Sequence, residues 1–502
     1  MRSIHLITNL LVCQAPGTWP MWGYNPAHWA VQPVPGAHAT APVVKWIISV
    51  GNQVQWLFSA TSDVDQDGLN EVLAGSFSGN FYCLNGTTGA QKWIFNAGSV
   101  VESCPAVADM AGDGSVEVVF GTWGGKVYCL RGTDGTKKWE YTTSYQFHHG
   151  PVVVDCDGDG DLDVVIGNLV GSVYCFDGET GGLIWNNFLP NNSGLENSSP
   201  AAGDIDGDGQ IEVVIGTARG IYSLNASTGI VEWLSSKGDC GNSSPGLADC
   251  DGDGAIEVVI GSADYNIYCL NGQTGAEEWR YTTGGIVWSS PVILDADGDG
   301  LLEIIIGSFD GYAYCLSGES GTLQWRTQVG DIRVGIPAGD VDGDNRYEVI
   351  IGNTSGYTCL NGEDGSVLWR SAPSSGGRSV YLADVDMDGC VEIVGGSTGY
   401  DIYVLDDPGN SSGCMSMGKD EEGYGPDSPE FKPMGKSLYL FLPEDEQVSL
   451  SLYDASGKLV QKVYDGVLRQ GSHTFSPNIN AKGIYFAVMR YQKGMKTLKI
   501  VR

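Results

Sequence analysis

The chain has 502 residues, 42% of them hydrophobic, with 73 glycines and a net charge of −34. That apolar content is enough for substantial cores, and the glycine load fits a turn-rich all-β protein. The acidity disfavours nucleic acid and anionic membrane surfaces as partners, and no apolar run approaches the roughly 18 residues of a membrane-spanning helix.

Residues 1–17 read as a leader remnant. The stretch from Met1 to Cys13 has the basic start and apolar middle of a short signal peptide, interrupted by His5, Thr8 and Asn9. Val12 is not the small residue that a lipoprotein-type Cys13 requires. A first strand follows at Val43-Val44-Lys45-Trp46.

From there a nine-residue acidic loop, D-x-D-x-D-G-x-x-E, recurs eight times at intervals of 44 to 49 residues. A period of this length, with several short strands per unit, reads as a propeller blade. The acids are Asp63, Asp65, Asp67 and Glu71; Asp109, Asp113 and Glu117; Asp155, Asp157, Asp159 and Asp163; and Asp204, Asp206, Asp208 and Glu212. The second half of the chain adds Asp249, Asp251, Asp253 and Glu257; Asp295, Asp297, Asp299 and Glu303; Asp340, Asp342, Asp344 and Glu348; and Asp384, Asp386, Asp388 and Glu392. Carboxylates on alternate residues of a tight loop converge on one point, and an acid at position nine closes the shell. Such an all-oxygen set predicts Ca²⁺, in a mostly structural role, at seven or eight sites. The closing acid opens a strand, so the loop is not an EF-hand, which closes at about position 12 between helices. Ala111 replaces the second aspartate of repeat two, which predicts a weak or empty site there. Asn345 replaces the glycine of repeat seven, and Asn tolerates the left-handed turn. The ligand positions of these loops hold 31 of the 61 acidic residues, so most of the acidity is metal ligand.

After each loop come a β-branched run, a Y-C-L-like strand, an N-G-x-T-G turn and a strand carrying tryptophan. The tryptophan column is Trp93, Trp139, Trp185, Trp233, Trp279, Trp325 and Trp369, each expected to pack on the neighbouring blade. Repeat eight stops at Pro408 without its tryptophan, and Val43–Trp46 supplies the missing strand, closing the ring. Cys83, Cys129, Cys175, Cys269, Cys315 and Cys359 share one strand position and read as small core residues, out of disulfide reach across blades. Pairing among Cys13, Cys104, Cys156, Cys240, Cys250, Cys390 and Cys414 is open.

The Y-C-L-N-G-x-T-G-x-x-x-W segments resemble the tryptophan-docking repeats of pyrroloquinoline-quinone (PQQ) dehydrogenase-like eight-bladed propellers, and Trp19-Pro-Met-Trp-Gly-Tyr-Asn25 is similar to their lead-in. The acidic loops resemble the FG-GAP repeats of integrin α-subunit propellers, a resemblance that implies structural Ca²⁺. Together these imply an all-β, eight-bladed β-propeller over residues 18–408, a fold that hosts many functions.

Residues 409–435 read as a linker and 436–502 as a small β-sandwich. Leu452-Tyr-Asp-Ala-Ser-Gly457, Gly471-Ser-His473, Gly483-Ile-Tyr-Phe486 and the closing Lys496 to Arg502 resemble the C-terminal sorting domain of type IX secretion. That resemblance implies a bacterial protein exported to the medium or cell surface, with the secretion machinery as a partner.

Repeats sharing a scaffold differ where they act. Seven residues before each loop stand Trp56, Glu102, His148, Asn197, Asn242, Trp288, Arg333 and Gly377, and one residue later His149 and Arg378. At the funnel mouth of a propeller these form a surface suited to a glycan or peptide, although loop variation alone also produces such a column. The preferred reading is a binding or adhesion module for glycan or protein. The alternative is an extracellular enzyme, a polysaccharide lyase or PQQ-type oxidoreductase. The repeats carry no nucleophile elbow, zinc motif or adjacent Cys-Cys pair, and a lyase would draw on Arg333, Arg378 and His148.

Overall fold

The computed structural model describes residues 31–32, 41–50 and 59–406, apart from 191–193, 345, 354–355, 372–378, 389 and 397–399, together with the strand residues between 430 and 501 and Arg469. The chain divides into two compact units, Met1–Ser416 and Met417–Arg502.

The first unit is an all-β, eight-bladed propeller, with no helix among the described residues. Blades one to six span 59–96, 106–142, 152–188, 201–235, 246–282 and 292–328, each an antiparallel sheet of four strands in chain order. Blade seven spans 338–371. Blade eight takes three strands from 380–406 and its fourth from Val43–Ser49, which pairs with Asp401–Asp406 and sets Trp46 opposite Val404. The ring closes as the missing eighth tryptophan predicts. Blade seven has a fifth strand that sequence does not foretell: Val31–Gln32 pairs in parallel with Ala338–Gly339.

Blade five shows how sequence makes the unit. The inner strand Gly246–Ala248 leads into the acidic loop, and Glu257–Gly261 returns fully buried, so its β-branched run is apolar on both faces. Asn266–Asn271 places Cys269 opposite Val259 and Trp279. The outer strand Glu277–Thr282 alternates with solvent. Apolar clusters form between blades: Ala201, Val214 and Ile221 of blade four pack with Leu247, Val258, Ile260 and Leu270 of blade five. The tryptophans fasten these interfaces. Trp233 Nε1 donates to Gly272 O of the next blade at 2.7 Å. The same bond recurs from Trp46, Trp93, Trp139, Trp185, Trp279 and Trp325 at 2.6–2.9 Å. At Gly275 (φ +65°) a Cβ would lie 2.5 Å from Trp233 Cε3, so the turn's last glycine is the floor on which the indole rests.

The six column cysteines are fully buried free thiols, as a core role requires. Of the others, Cys156, Cys240 and Cys250 are free and buried, Cys104 is buried, Cys390 is disulfide-bonded, and Cys13 and Cys414 lie outside the described residues.

The second unit holds two antiparallel sheets. Glu430–Met434, Ser437–Leu442 and Gly471–Phe475 form one; Leu459–Leu468, Glu446–Asp454, Ile484–Tyr491 and Gly494–Val501 form the other. Val448, Leu450 and Leu452 alternate along one strand and are fully buried, and Tyr464 meets Phe475 of the other sheet at 5.3 Å. The first strand begins inside the stretch that reads as linker.

Candidate functional site

Each acidic loop joins an inner strand to the second strand of its blade. In blade four, Asp204 accepts backbone N–H groups from Gly207 (2.9 Å) and Gly209 (3.1 Å), one on each oxygen. Asp206 accepts Asp208 N–H at 3.0 Å, and Asp208 caps Gln210 N–H at 2.8 Å. Glu212, wholly buried, accepts Ile205 N–H at 2.9 Å through Oε2, while Oε1 has no partner among the described residues. The backbone thus aims these carboxylates inward. Oxygens of Asp204, Asp206 and Glu212 lie within 4.8 Å of one another, as do those of Asp63, Asp65 and Glu71, of Asp155, Asp157 and Asp163, and of Asp249, Asp251 and Glu257. Burial pushes Glu212 up to about 8, with Glu232, Asp206 and Asp208 adding repulsion. It also pushes Glu257 and Glu348 up to about 8, and Asp163 and Glu303 up to about 7. A hard cation in such a loop would relieve that repulsion and satisfy the orphaned oxygen of Glu212. The residues of blades three to seven fit one.

Blades eight, one and two differ, because a lysine ammonium lies among their acids. Lys92 Nζ bonds Asp65, Asp67 and Glu71, Lys138 Nζ bonds Glu117, and Lys45 Nζ bonds Asp386 and Asp406.

The column before the loops lies at the other end of the inner strands, so the loops and the mouth occupy opposite faces of the ring. Neighbouring blades join there. Ser103 Oγ donates to His149 O (2.8 Å), Ser243 Oγ to Ser289 O (2.9 Å) and Ser289 Oγ to Val334 O (2.7 Å). His149 Nε2 meets Asn197 Oδ1 at 3.0 Å, Asn197 Nδ2 donates to Asn242 Oδ1, and Asn242 Nδ2 donates to Glu196 at 2.9 Å. Two aromatic clusters flank this polar arc. On one side Trp123 stacks on His148 (4.7 Å, 9°), Phe77 meets its edge at 5.6 Å, and its Nε1 donates to Glu102 at 2.9 Å. Burial pushes Glu102 up to about 7 and holds His148, 3.5 Å away, below its usual range. On the other side Phe309 lies 4.7 Å from Trp288 and 4.6 Å from the Arg333 guanidinium, which bonds Asp331 at 2.7 Å. Trp288 Nε1 and Asp331 Oδ1 have no partner among the described residues.

The structure therefore brings Glu102 and His148 together, links His149, Asn197 and Asn242, and sets Trp288 beside Arg333 across Phe309. Trp56 and Arg378 lie outside the described residues. Phe77, Trp123 and Phe309 went unread in sequence. They sit in the turn between the second and third strands, and the signal was an aromatic just after the buried run in three blades only.

An FG-GAP-like repeat profile matches residues 109–166, 155–215 and 249–306. The chain carries FG-GAP repeats on an eight-bladed propeller. Among solved structures it is similar to BamB from Moraxella catarrhalis, at 18% identity and TM-score 0.55, covering 74% of this chain and 99% of that one. It is also similar to a europium-containing methanol dehydrogenase, at 14% and 0.59, covering 78% and 98%. A third is the quinohemoprotein alcohol dehydrogenase from Comamonas testosteroni, at 14% and 0.58, covering 80% and 82%. At these identities the likeness is one of fold alone. No curated protein matches the sequence.

Proposed function

We propose that this protein is a calcium-stabilised propeller, secreted or displayed on a cell surface, that acts as a binding or adhesion module for a glycan or protein ligand at its funnel mouth. The observation that carries the reading is the group around Phe309. An aromatic pair, a guanidinium, an indole N–H and a carboxylate oxygen converge there, and the last two lack partners among the described residues. Buried polar atoms left unpaired are costly unless a ligand satisfies them, and ring faces supply the stacking area that sugars and peptides use. Export rests on the sorting-domain resemblance of residues 436–502, which makes the secretion machinery the partner of that unit. Calcium rests on the convergence of the acidic loops.

The test is a glycan array with the full chain in millimolar calcium, beside Trp288→Ala and Trp123→Ala variants. Selective binding lost in either variant supports a funnel-mouth lectin. Absence of binding to every glycan removes the sugar reading and directs the search to protein ligands. The carboxyl of Glu102, held near neutral pKa beside His148, is the feature an acid–base enzyme such as a lyase would use. Cleavage of a bound glycan, abolished by Glu102→Gln, would convert the module into an enzyme.

A further inference from the structure

The acidic loops of blades eight, one and two already hold a cation of the chain's own, a lysine ammonium. In blade one Lys92 Nζ lies 2.7 Å from Asp65 Oδ2, 2.7 Å from Asp67 Oδ2 and 2.6 Å from Glu71 Oε1. In blade eight Lys45 Nζ lies 2.5 Å from Asp386, 2.9 Å from Asp406 and 3.7 Å from Glu392. In blade two Lys138 Nζ lies 3.0 Å from Glu117, in the loop where Ala111 has already removed an acid.

All three lysines come from one column, the residue before the docking tryptophan. In the other blades that column holds Ile184, Glu232, Glu278, Gln324 and Leu368, none of them a cation. Gln324 donates an amide N–H to Glu303 at 3.2 Å, while Glu232 and Glu278 add an acid beside Glu212 and Glu257. Buried carboxylate oxygens without a hydrogen-bond partner among the described residues occur in both groups, Glu212 Oε1 in the second and Asp65 Oδ1, Asp386 Oδ1 and Glu392 Oε1 in blades one and eight, so the division rests on the ammonium and not on them.

Loop conformation divides the ring in the same place. In blades three to seven the position-four glycine, Gly158, Gly207, Gly252, Gly298 or Gly343, donates its N–H back to the first aspartate at 2.7–2.9 Å. In blades one, two and eight the position-five N–H makes that bond instead, from Asp67, Asp113 and Asp388 at 3.0–3.1 Å. An ammonium bonded to these carboxylates takes up the oxygens a Ca²⁺ shell needs, and a divalent ion beside it would meet direct repulsion.

The geometry points to a split between two kinds of counter-ion: lysine serves as the internal cation of blades eight, one and two, and calcium is taken only by blades three to seven. This rests on the calcium reading of the loops, and the experiment separates the two. Full-length protein is dialysed in calcium at concentrations that saturate the tight sites, and bound calcium per chain is counted by elemental mass spectrometry. Five ions per chain are expected. Ile184→Lys in blade three, or Gln324→Lys in blade six, lowers the count by one with the fold intact by circular dichroism, while Lys92→Gln does not lower it. Seven or eight ions in the unaltered chain would overturn the inference and leave the calcium reading standing. An unchanged count in both folded lysine variants overturns it as well. No bound calcium at all removes the calcium reading and the inference with it.

Discussion

A single glycine shows how closely residue chemistry and fold are tied here. Gly275 has φ +65° and would place a Cβ 2.5 Å from the Trp233 ring, so Gly275→Ala meets both a left-handed backbone and a filled contact. A loss of about 2–3 kcal/mol is expected in guanidinium unfolding. Trp233→Phe keeps most of the packing but loses the bond to Gly272 O, for about 1 kcal/mol. His149 sets a pH dependence. Burial depresses its imidazole from 6.5 to about 3, so the folded state binds fewer protons than the unfolded state in that window. Its stability contribution is therefore complete above pH 6.5 and is lost as pH falls toward 3. Two pH units below 6.5 the loss is about 2–3 kcal/mol, and His149→Gln should flatten that acid limb of the unfolding midpoint. Identical limbs in variant and parent would dismiss the assignment. Such residues were only half legible. The tryptophan and acid columns announced themselves because they repeat, and repetition separates a required residue from a tolerated one. Phe309 and Trp123 break the repeat, and only their position over Trp288 and His148 gives them meaning.

At the level of strands, the fold was readable wherever burial imposed a pattern. E-V-V-F-G is apolar without alternation because blades cover both its faces, and K-K-W-E-Y-T alternates because only one side of it is covered, at Trp139 and in part at Tyr141. The closing strand was legible by subtraction, since repeat eight lacked what Val43–Ser49 supplies. Val31–Gln32 was not, because a two-residue strand that adds to an inner strand through backbone bonds leaves no side-chain signature. The closure makes a prediction that distinguishes it from the other interfaces. Trp46→Ala removes a buried indole and Trp233→Ala a half-buried one, each with one bond of 2.6–2.7 Å, at about 3–5 kcal/mol for the first and less for the second. Only Trp46 belongs to a strand whose chain neighbours are not in its own blade's sequence block. Limited proteolysis should thus release the segment around Val43–Ser49 first in Trp46→Ala, whereas Trp233→Ala should unfold without a preferred early cut.

Across the whole ring, charge decides how the molecule meets loss of metal. A net charge of −34, with 31 acids at the ligand positions of eight loops, is a standing repulsion that ions bound only by the folded state would offset. Each site saturated at about 100 times its dissociation constant adds about 2.7 kcal/mol, so chelation should lower the thermal midpoint steeply. Sodium chloride should recover part of the loss by screening exposed loop charges, since the Debye length shortens to about 3 Å at 1 M. The loss should not be uniform. Blades eight, one and two are consecutive around the ring and include the joint between the first and last strands of the propeller, and their loops hold a covalently attached cation that no chelator removes. Chelation should therefore loosen the far arc first while the closure stays shut. Amide hydrogen exchange in excess chelator is expected to rise in residues 152–371 before residues 43–49 and 59–142. Simultaneous loss of protection in both arcs would mean that the lysines do not replace calcium energetically, whatever the ion count.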